Sequence, residues 1–424
     1  MTLTQNPQIE LSPFKIGLLG FIPLTLGFGV YPLLIPALVM ALFGIFWIGP
    51  RSFVKNLQKT VLAPGFLLFL TLLGLFFACY RGFYLPYHPE ILIMPWSYFR
   101  VLFGLCLFTL LWVALFEKDG DLIGFIWLLC FGSLLFCLAT VALAMWLQKP
   151  PFYASIIDIR YLPFGIQKFI NTPGIANLLC LFPMAFLAAL LLKPDQRPRW
   201  FWTLGILGFT LSLIAGIALG QRSYFVVVLF IAPLLVAIFL LLLRSWRAFI
   251  ALCILLMSYP LLRWLDQVMG MHFLHRPLDQ TLFNDARFQM LQYWFERVIA
   301  NPFQRIEVGP SQYAHLEWFH NFFADIHRLS GFWALLAAVV LVTYIFIRLL
   351  YLIKVDRRVG LFLMAIAIPC FLIMNTSVVP EAERQPFLLL LAIGAISEVI
   401  LGRHRGSSKS PHSDPVAKHD IVNT

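Results

Sequence analysis

The chain has 424 residues and a formal net charge of +11; 61% of its residues are hydrophobic and only 12% charged, about half the charged share of an ordinary soluble domain. That balance excludes a soluble globular protein and leaves a polytopic membrane chain, apolar nearly from end to end. Much of the positive charge lies in short clusters between apolar segments, where it acts as a determinant of topology, and nucleic acid is not an expected partner.

Stretches of roughly 20 apolar residues fall near 14 to 29, 31 to 48, 61 to 79, 98 to 116, 122 to 147, 175 to 192, 200 to 220, 224 to 243, 248 to 265, 331 to 350, 359 to 376 and 386 to 401. The expected fold is all-α, a polytopic membrane helix bundle of about twelve transmembrane helices. Only Val30 and Tyr31 separate the first two segments, so two spans and a re-entrant pair are both open there. A removable signal peptide is not expected, because a second apolar segment follows the first at once without a small-residue cleavage pattern. Residues 1–401 form a single integral membrane domain on this reading, with a long polar loop at 266–330 inside it. Residues 402–424, which lack apolar periodicity, form a disordered cytoplasmic tail.

Basic residues orient the bundle. Arg51, Lys55 and Lys59; Lys193, Arg197 and Arg199; Arg244 and Arg247; Lys354, Arg357 and Arg358; and Arg403, Arg405 and Lys409 fall on alternate sides of the spans, which puts all five clusters on one face. The positive-inside rule makes that face cytoplasmic, with both termini inside and the loop after Trp264 outside. The seven cysteines are spread one or two per apolar segment and read as packing residues without a disulfide framework. No internal repeat recurs at a fixed period, which weakens a transporter built from two similar halves.

On the outer side, the segment Arg81 to Ser97, with Pro86, Pro89 and Pro95, and the segment Lys149 to Gly174, with Asp158, Arg160, Tyr161 and Lys168, are suited to line a groove for a lipid-linked substrate. Arg222, Arg287, Arg305 and Arg328 lie there against the usual charge bias. Two readings stand for each: a cation for an anionic headgroup, or a side chain that snorkels or pairs with a neighbouring acid. Arg222 follows the small-residue segment Ala215 to Gln221 at the end of a span, with no acid near it in sequence. A pyrophosphate would partner it.

In the long loop, Asn284 or Asp285 caps a helix that runs to about Ala300 and stops at Asn301-Pro302. Leu291, Trp294, Phe295, Val298 and Ile299 form its apolar face, and Arg287 shares the stripe of Leu291 and Trp294. A second helix is expected to begin near Tyr313 to Leu316 and to carry Phe319, His320, Phe322 and Ile326 towards Gly331. His320, flanked by aromatic residues where the chain re-enters the membrane, is a candidate general base: an unperturbed imidazole with a pKa of about 6.5 accepts a proton at ambient pH. An interfacial histidine bonded to backbone fits the same local sequence. Asn321 either orients a substrate or caps a turn. His272, His275, His315, Glu317, Asp325 and His327 add possible ligands, but their spacings match no strong metal template, so no metal and no cofactor are expected.

The string His320-Asn321, nine residues, Gly331, two residues and Ala334 resembles the signature of the O-antigen ligase family, which overlaps the related O-antigen polymerases; Ala334 departs from its last position. Gly220-Gln221-Arg222-Ser223 is similar to that family's arginine context at the outer end of a middle span. Asp285-Ala286-Arg287, with Trp294 and Asn301-Pro302, is similar to the start of its loop helix, whereas Gln304-Arg305-Ile306 replaces its usual Gly-x-Gly. The resemblance implies a GT-C-like membrane glycosyltransferase with its active site on a periplasmic loop at the bacterial inner membrane. It implies an undecaprenyl-diphosphate-linked glycan donor and a lipid A-core acceptor, with membrane lipids as further partners. Arg222 and Arg287 would bind the diphosphate and His320 would deprotonate the acceptor in a metal-independent inverting transfer; Asn321, Arg305 and Arg160 are candidate substrate-binding residues. The same residues fit a polymerase that uses this donor, and less well a protein O-oligosaccharyltransferase. A lipid-linked glycan transporter is disfavoured because the spans hold almost no central acids, Glu398 being the main exception.

Overall fold

The computed structural model describes residues 50–83, 119–147, 156–158, 169–197, 201–269, 286–304, 306, 319–376 and 385–407, with short helical stretches at 26–27, 42, 103–106, 109–110 and 113. The expected spans near 14 to 29, 31 to 48 and 98 to 116 lie largely outside the described residues. Arg160, Arg305 and the chain beyond Ser407 lie outside them altogether.

Its helices are α1 (Pro50–Val61), α2 (Pro64–Gly82), α3 (Asp119–Leu147), α4 (Thr172–Leu179), α5 (Leu181–Ala188), α6 (Phe201–Leu219), α7 (Arg222–Phe225), α8 (Ala232–Leu242), α9 (Ala248–Met269), α10 (Ala286–Ala300), α11 (Phe322–Val355), α12 (Arg357–Thr376) and α13 (Gln385–Ser407). Among the described residues, eight helical segments are long and apolar enough to cross a membrane, and each coincides with an expected span: Pro64–Gly82, Gly120–Trp146, Pro173–Leu191, Phe201–Leu219, Ser223–Leu242, Phe322–Val355, Arg357–Asn375 and Gln385–His404. A run of that length satisfies all its backbone donors and acceptors internally only as a helix. The expected span near 248 to 265 falls on α9, which is apolar only over Ala248–Leu261 and is not one of these eight.

One boundary of the bundle and one element differ from the sequence reading. Helix α13 continues to Ser407, past the expected start of the tail at Gly402. The chain is also not purely helical: Ile156–Asp158 (β1) and Phe169–Asn171 (β2) pair antiparallel, with Ile156 opposite Asn171 and Asp158 opposite Phe169. β-Branched isoleucines suit the pleat, and the ladder delivers the chain directly to Thr172 at the start of α4.

The segment Pro173–Leu191 is buried throughout and forms the axis of the bundle, with α5 packed against α3, α6, α8 and α12. The remaining layer is built around α11, which packs on α2, α12 and α13. Glu398 of α13 accepts from Arg348 Nε, from Arg348 Nη2 at 2.9 Å and from the Tyr344 hydroxyl at 2.8 Å. A buried carboxylate needs such partners, and these lock α13 to α11.

Helix direction sorts the ends. Arg357 at the start of α12 reaches the Leu242 carbonyl at the end of α8, and Arg358 reaches Leu191 at the end of the axial segment. The clusters at 193–197, 244–247 and 354–358 therefore meet at one end. The start of α7, the start of α11 and the end of α12 lie at the other, and that end carries the candidate site.

Candidate functional site

His320 is not on a helix. It sits in a turn before α11 with φ 55, one of two described non-glycine residues in the left-handed region. That conformation costs an L-residue about 1–2 kcal/mol, so something must impose it. The Asp325 carboxylate does: Oδ1 accepts from the Phe319 amide at 2.9 Å and Oδ2 from the Asn321 amide at 3.2 Å, the amides of the residues on either side of His320. Asp325 is fully buried, and Arg328 Nε lies 3.7 Å from Oδ1. Arg328 is thus a buried counter-ion to this carboxylate, not an outer cation.

Asn321 holds the same turn from the other side. Its Oδ1 accepts from the Phe323 and Ala324 amides, both at 3.1 Å, and caps α11. Its Nδ2 donates to the Asn375 carbonyl at 2.9 Å and to Asn375 Oδ1 at 3.3 Å, which ties the turn to the end of α12. Of the two readings of Asn321, the capping one describes its side chain. Phe319 to Asn321 are not helical and the described helix starts at Phe322; the expected start near Tyr313 to Leu316 lies outside the described residues. Gly331 then breaks α11 with φ 75, so Phe322 to Ser330 is a short buried helix set apart from the long span that follows. Glycine is the residue for that conformation.

The loop helix α10 docks on this turn. Met290 packs with Ile306, Phe319 and Ala324 in a small cluster that also draws in Leu291, Trp294 and Val298. The Trp294 indole donates to His327 Nδ1 at 3.3 Å, and His327 Nε2 lies 2.9 Å from the Pro302 carbonyl. Indole is a donor only, so Nδ1 accepts, and the ring proton sits on Nε2 and goes to Pro302. The middle of α10 and the chain just past its C-terminus are thereby fixed to α11. The helix starts and stops as the sequence predicts, at Ala286 and Ala300, but its packed face is shifted: Met290 and Tyr293 point inwards, whereas Phe295 and Ile299 are exposed. For Arg287 the structure fixes the backbone, in the first turn of α10 and one helical turn before Met290.

Arg222 opens α7, and again the description concerns its backbone. Gly220, with φ 62, ends α6 by giving its amide to the Gly216 and Ile217 carbonyls, both at 3.1 Å. The position of α7 traces to a proline in the axial segment. Pro183 has no N–H for the Leu179 carbonyl; Ser212 of α6 donates to it at 3.3 Å and accepts from the Tyr224 hydroxyl at 2.7 Å. A methyl group on Gly216 would overlap the Tyr224 ring. A π-helical turn, Val226–Ile231, follows, a feature frequent at functional sites.

His320, Asn321, Arg222 and Arg287 are therefore carried by segments at one end of the bundle, with α10 seated directly on the His320 turn. Arg305 and Arg160 lie outside the described residues. Asp325, Asn375, Trp294 and His327 complete the site; of these, Asn375 has no signal in the sequence, and Trp294 is read there as part of the apolar face of α10. Asp325 and His327 had been weighed as metal ligands; their side chains are committed to backbone amides and to the α10 latch, and among the described residues no cluster of three or more potential ligands occurs. Compared with models of known protein families the chain matches none, and it matches no curated protein. The fold and site define a helical bundle with membrane-length apolar helices and a conformationally strained histidine at one end.

Proposed function

We propose that the chain is an O-antigen ligase-type membrane glycosyltransferase that moves a glycan from undecaprenyl diphosphate to a lipid A-core sugar hydroxyl. It has about twelve spans, cytoplasmic termini and a periplasmic catalytic loop in a bacterial inner membrane. The observation that carries the reading is His320 at φ 55, half-buried, with both adjacent amides held by the buried Asp325 carboxylate. Strain of this kind concentrates where a side chain must be presented in one direction. Asp325 and Asn375 are positioning residues in this account, acting through the His320 turn.

The chemistry is a single displacement. The acceptor hydroxyl oxygen forms a bond to the anomeric carbon while the bond from that carbon to the diphosphate oxygen breaks, and His320 takes the hydroxyl proton. Undecaprenyl diphosphate leaves with the electron pair. Arg222 and Arg287 stabilise the charge that develops on it. Glu398, the acid that a transporter reading would use, is engaged by Arg348 and Tyr344, which favours transfer over transport.

Lipopolysaccharide gels of a deletion strain test the acceptor. A ligase leaves bare core with polymer retained on the carrier lipid; core bearing a single repeat would convert the assignment to the polymerase. Reconstitution with purified donor and acceptor tests the class: new glycosidic bonds without an energy source support an enzyme, and donor movement without them rejects it.

A further inference from the structure

The axial segment ends in a 3-10 turn, Ala189–Leu191, in which the Ala189 carbonyl accepts from the Leu192 amide at 3.2 Å and the carbonyls of Leu190 to Leu192 turn to side-chain donors. Three arginines from three other segments supply donors. Arg197, just before α6, gives Nε to the Ala189 carbonyl at 3.1 Å and Nη2 to those of Leu190 and Leu192 at 3.2 and 3.0 Å. Arg247, just before α9, gives Nη1 to Leu190 and Leu192 at 3.2 and 3.1 Å. Arg358, in the first turn of α12, gives Nη1 to Leu191 at 3.2 Å.

Capping accounts for one such cation. It does not account for three, because a helix C-terminus carries only about half a negative charge. No carboxylate makes up the difference: Asp356 Oδ1 accepts from the Arg358 and Val359 amides at 3.1 Å, Asp195 is exposed, and no ion pair joins any of the three arginines to an acid among the described residues. Burial, together with the charges of Arg247 and Arg358, pushes the Arg197 guanidinium down to about 10. Each guanidinium has five N–H donors in a fork that matches phosphate. The carbonyls leave Nη1 of Arg197, and Nε and Nη2 of Arg247 and Arg358, with donors to spare.

We propose that Arg197, Arg247 and Arg358 form a binding site for the phosphodiester of an anionic phospholipid headgroup. Its surroundings point to lipid over a water-borne anion. The Arg197 guanidinium lies 5.7 Å from the ring of Trp202, which is 52% exposed, and Trp246, the residue before Arg247, is 76% exposed; exposed tryptophans mark the headgroup level. Beyond Trp202 along α6, Ile206, Leu207 and Ile214 are exposed and apolar, a surface for an acyl chain.

The test uses the full chain in detergent, with phosphatidylglycerol, phosphatidylcholine and inorganic phosphate as probes, read by lipid retention in native mass spectrometry and by the thermal unfolding midpoint. Phosphatidylglycerol is expected to bind and raise the midpoint, and phosphatidylcholine to do neither. Arg247→Gln and Arg358→Gln should each weaken phosphatidylglycerol about fivefold, whereas Lys59→Gln on α1 leaves it unchanged. Arg358→Gln removes only one carbonyl bond, so a folding failure of a variant at Arg197 does not block the test. Equal affinity in the Arg247 and Arg358 variants would overturn the site. An equal midpoint shift from inorganic phosphate would overturn its assignment to lipid.

Discussion

At one end of the bundle a buried carboxylate is surrounded by donors, and at the other a set of buried carbonyls is surrounded by cations. Asp325 accepts from two amides and faces Arg328, so charge there is balanced within the fold and the surplus appears as backbone strain at His320. At the end of the axial segment Ala189 to Leu192 keep negative φ, the left-handed Arg244 (φ 51) lying in a neighbouring turn, and the surplus appears as charge: three guanidiniums on carbonyls without a carboxylate. The contrast teaches what each end is built for. Strain with balanced charge presents one side chain rigidly, whereas unbalanced charge on an ordinary helix end waits for an anion from outside.

Substitutions break this contrast in graded ways. Asp325→Ala should be the most damaging, because it strands two amides and leaves Arg328 buried without its counter-ion, at about 3–5 kcal/mol; unfolding in mixed micelles reads it. Gly331→Ala forces a side chain into the left-handed region and should cost about 1–2 kcal/mol by the same measurement. Tyr224→Phe removes the donor to Ser212 and should cost about 1 kcal/mol, with a larger relative loss in transfer rate than in stability if α7 is what presents Arg222. Arg358→Gln should cost least, about 0.3–1 kcal/mol, and act on lipid retention instead. A large stability loss from Arg358→Gln with none from Asp325→Ala would invert the comparison.

Most of the bundle was legible in the sequence because a long apolar run has only one way to satisfy its backbone. The loop helix was legible for a related reason: Asp285 at one end and Asn301-Pro302 at the other punctuate it. The turn at His320 was not. Local pattern favoured a helix through Phe319 and His320, and what prevents one is a carboxylate five residues on that competes for the amides. Asn321 followed by an acid in the first turn, Asp325, was the available signal for a helix start at Phe322. Asn375 gave no signal at all, since its contact with Asn321 spans two helices. Three of the five basic clusters meet at one end, and their convergence on Leu190 to Leu192 depends on where the axial segment ends, which only the packing decides.

The central claim is that the strained turn exists to present His320 as a base. Purified full chain, His320→Ala and His320→Gln should be compared for glycan transfer from the lipid-linked donor under single-turnover conditions, with donor binding measured alongside. The account predicts a rate loss of about 10²–10⁴-fold with donor binding and thermal stability retained; transfer at the wild-type rate in either variant would contradict it.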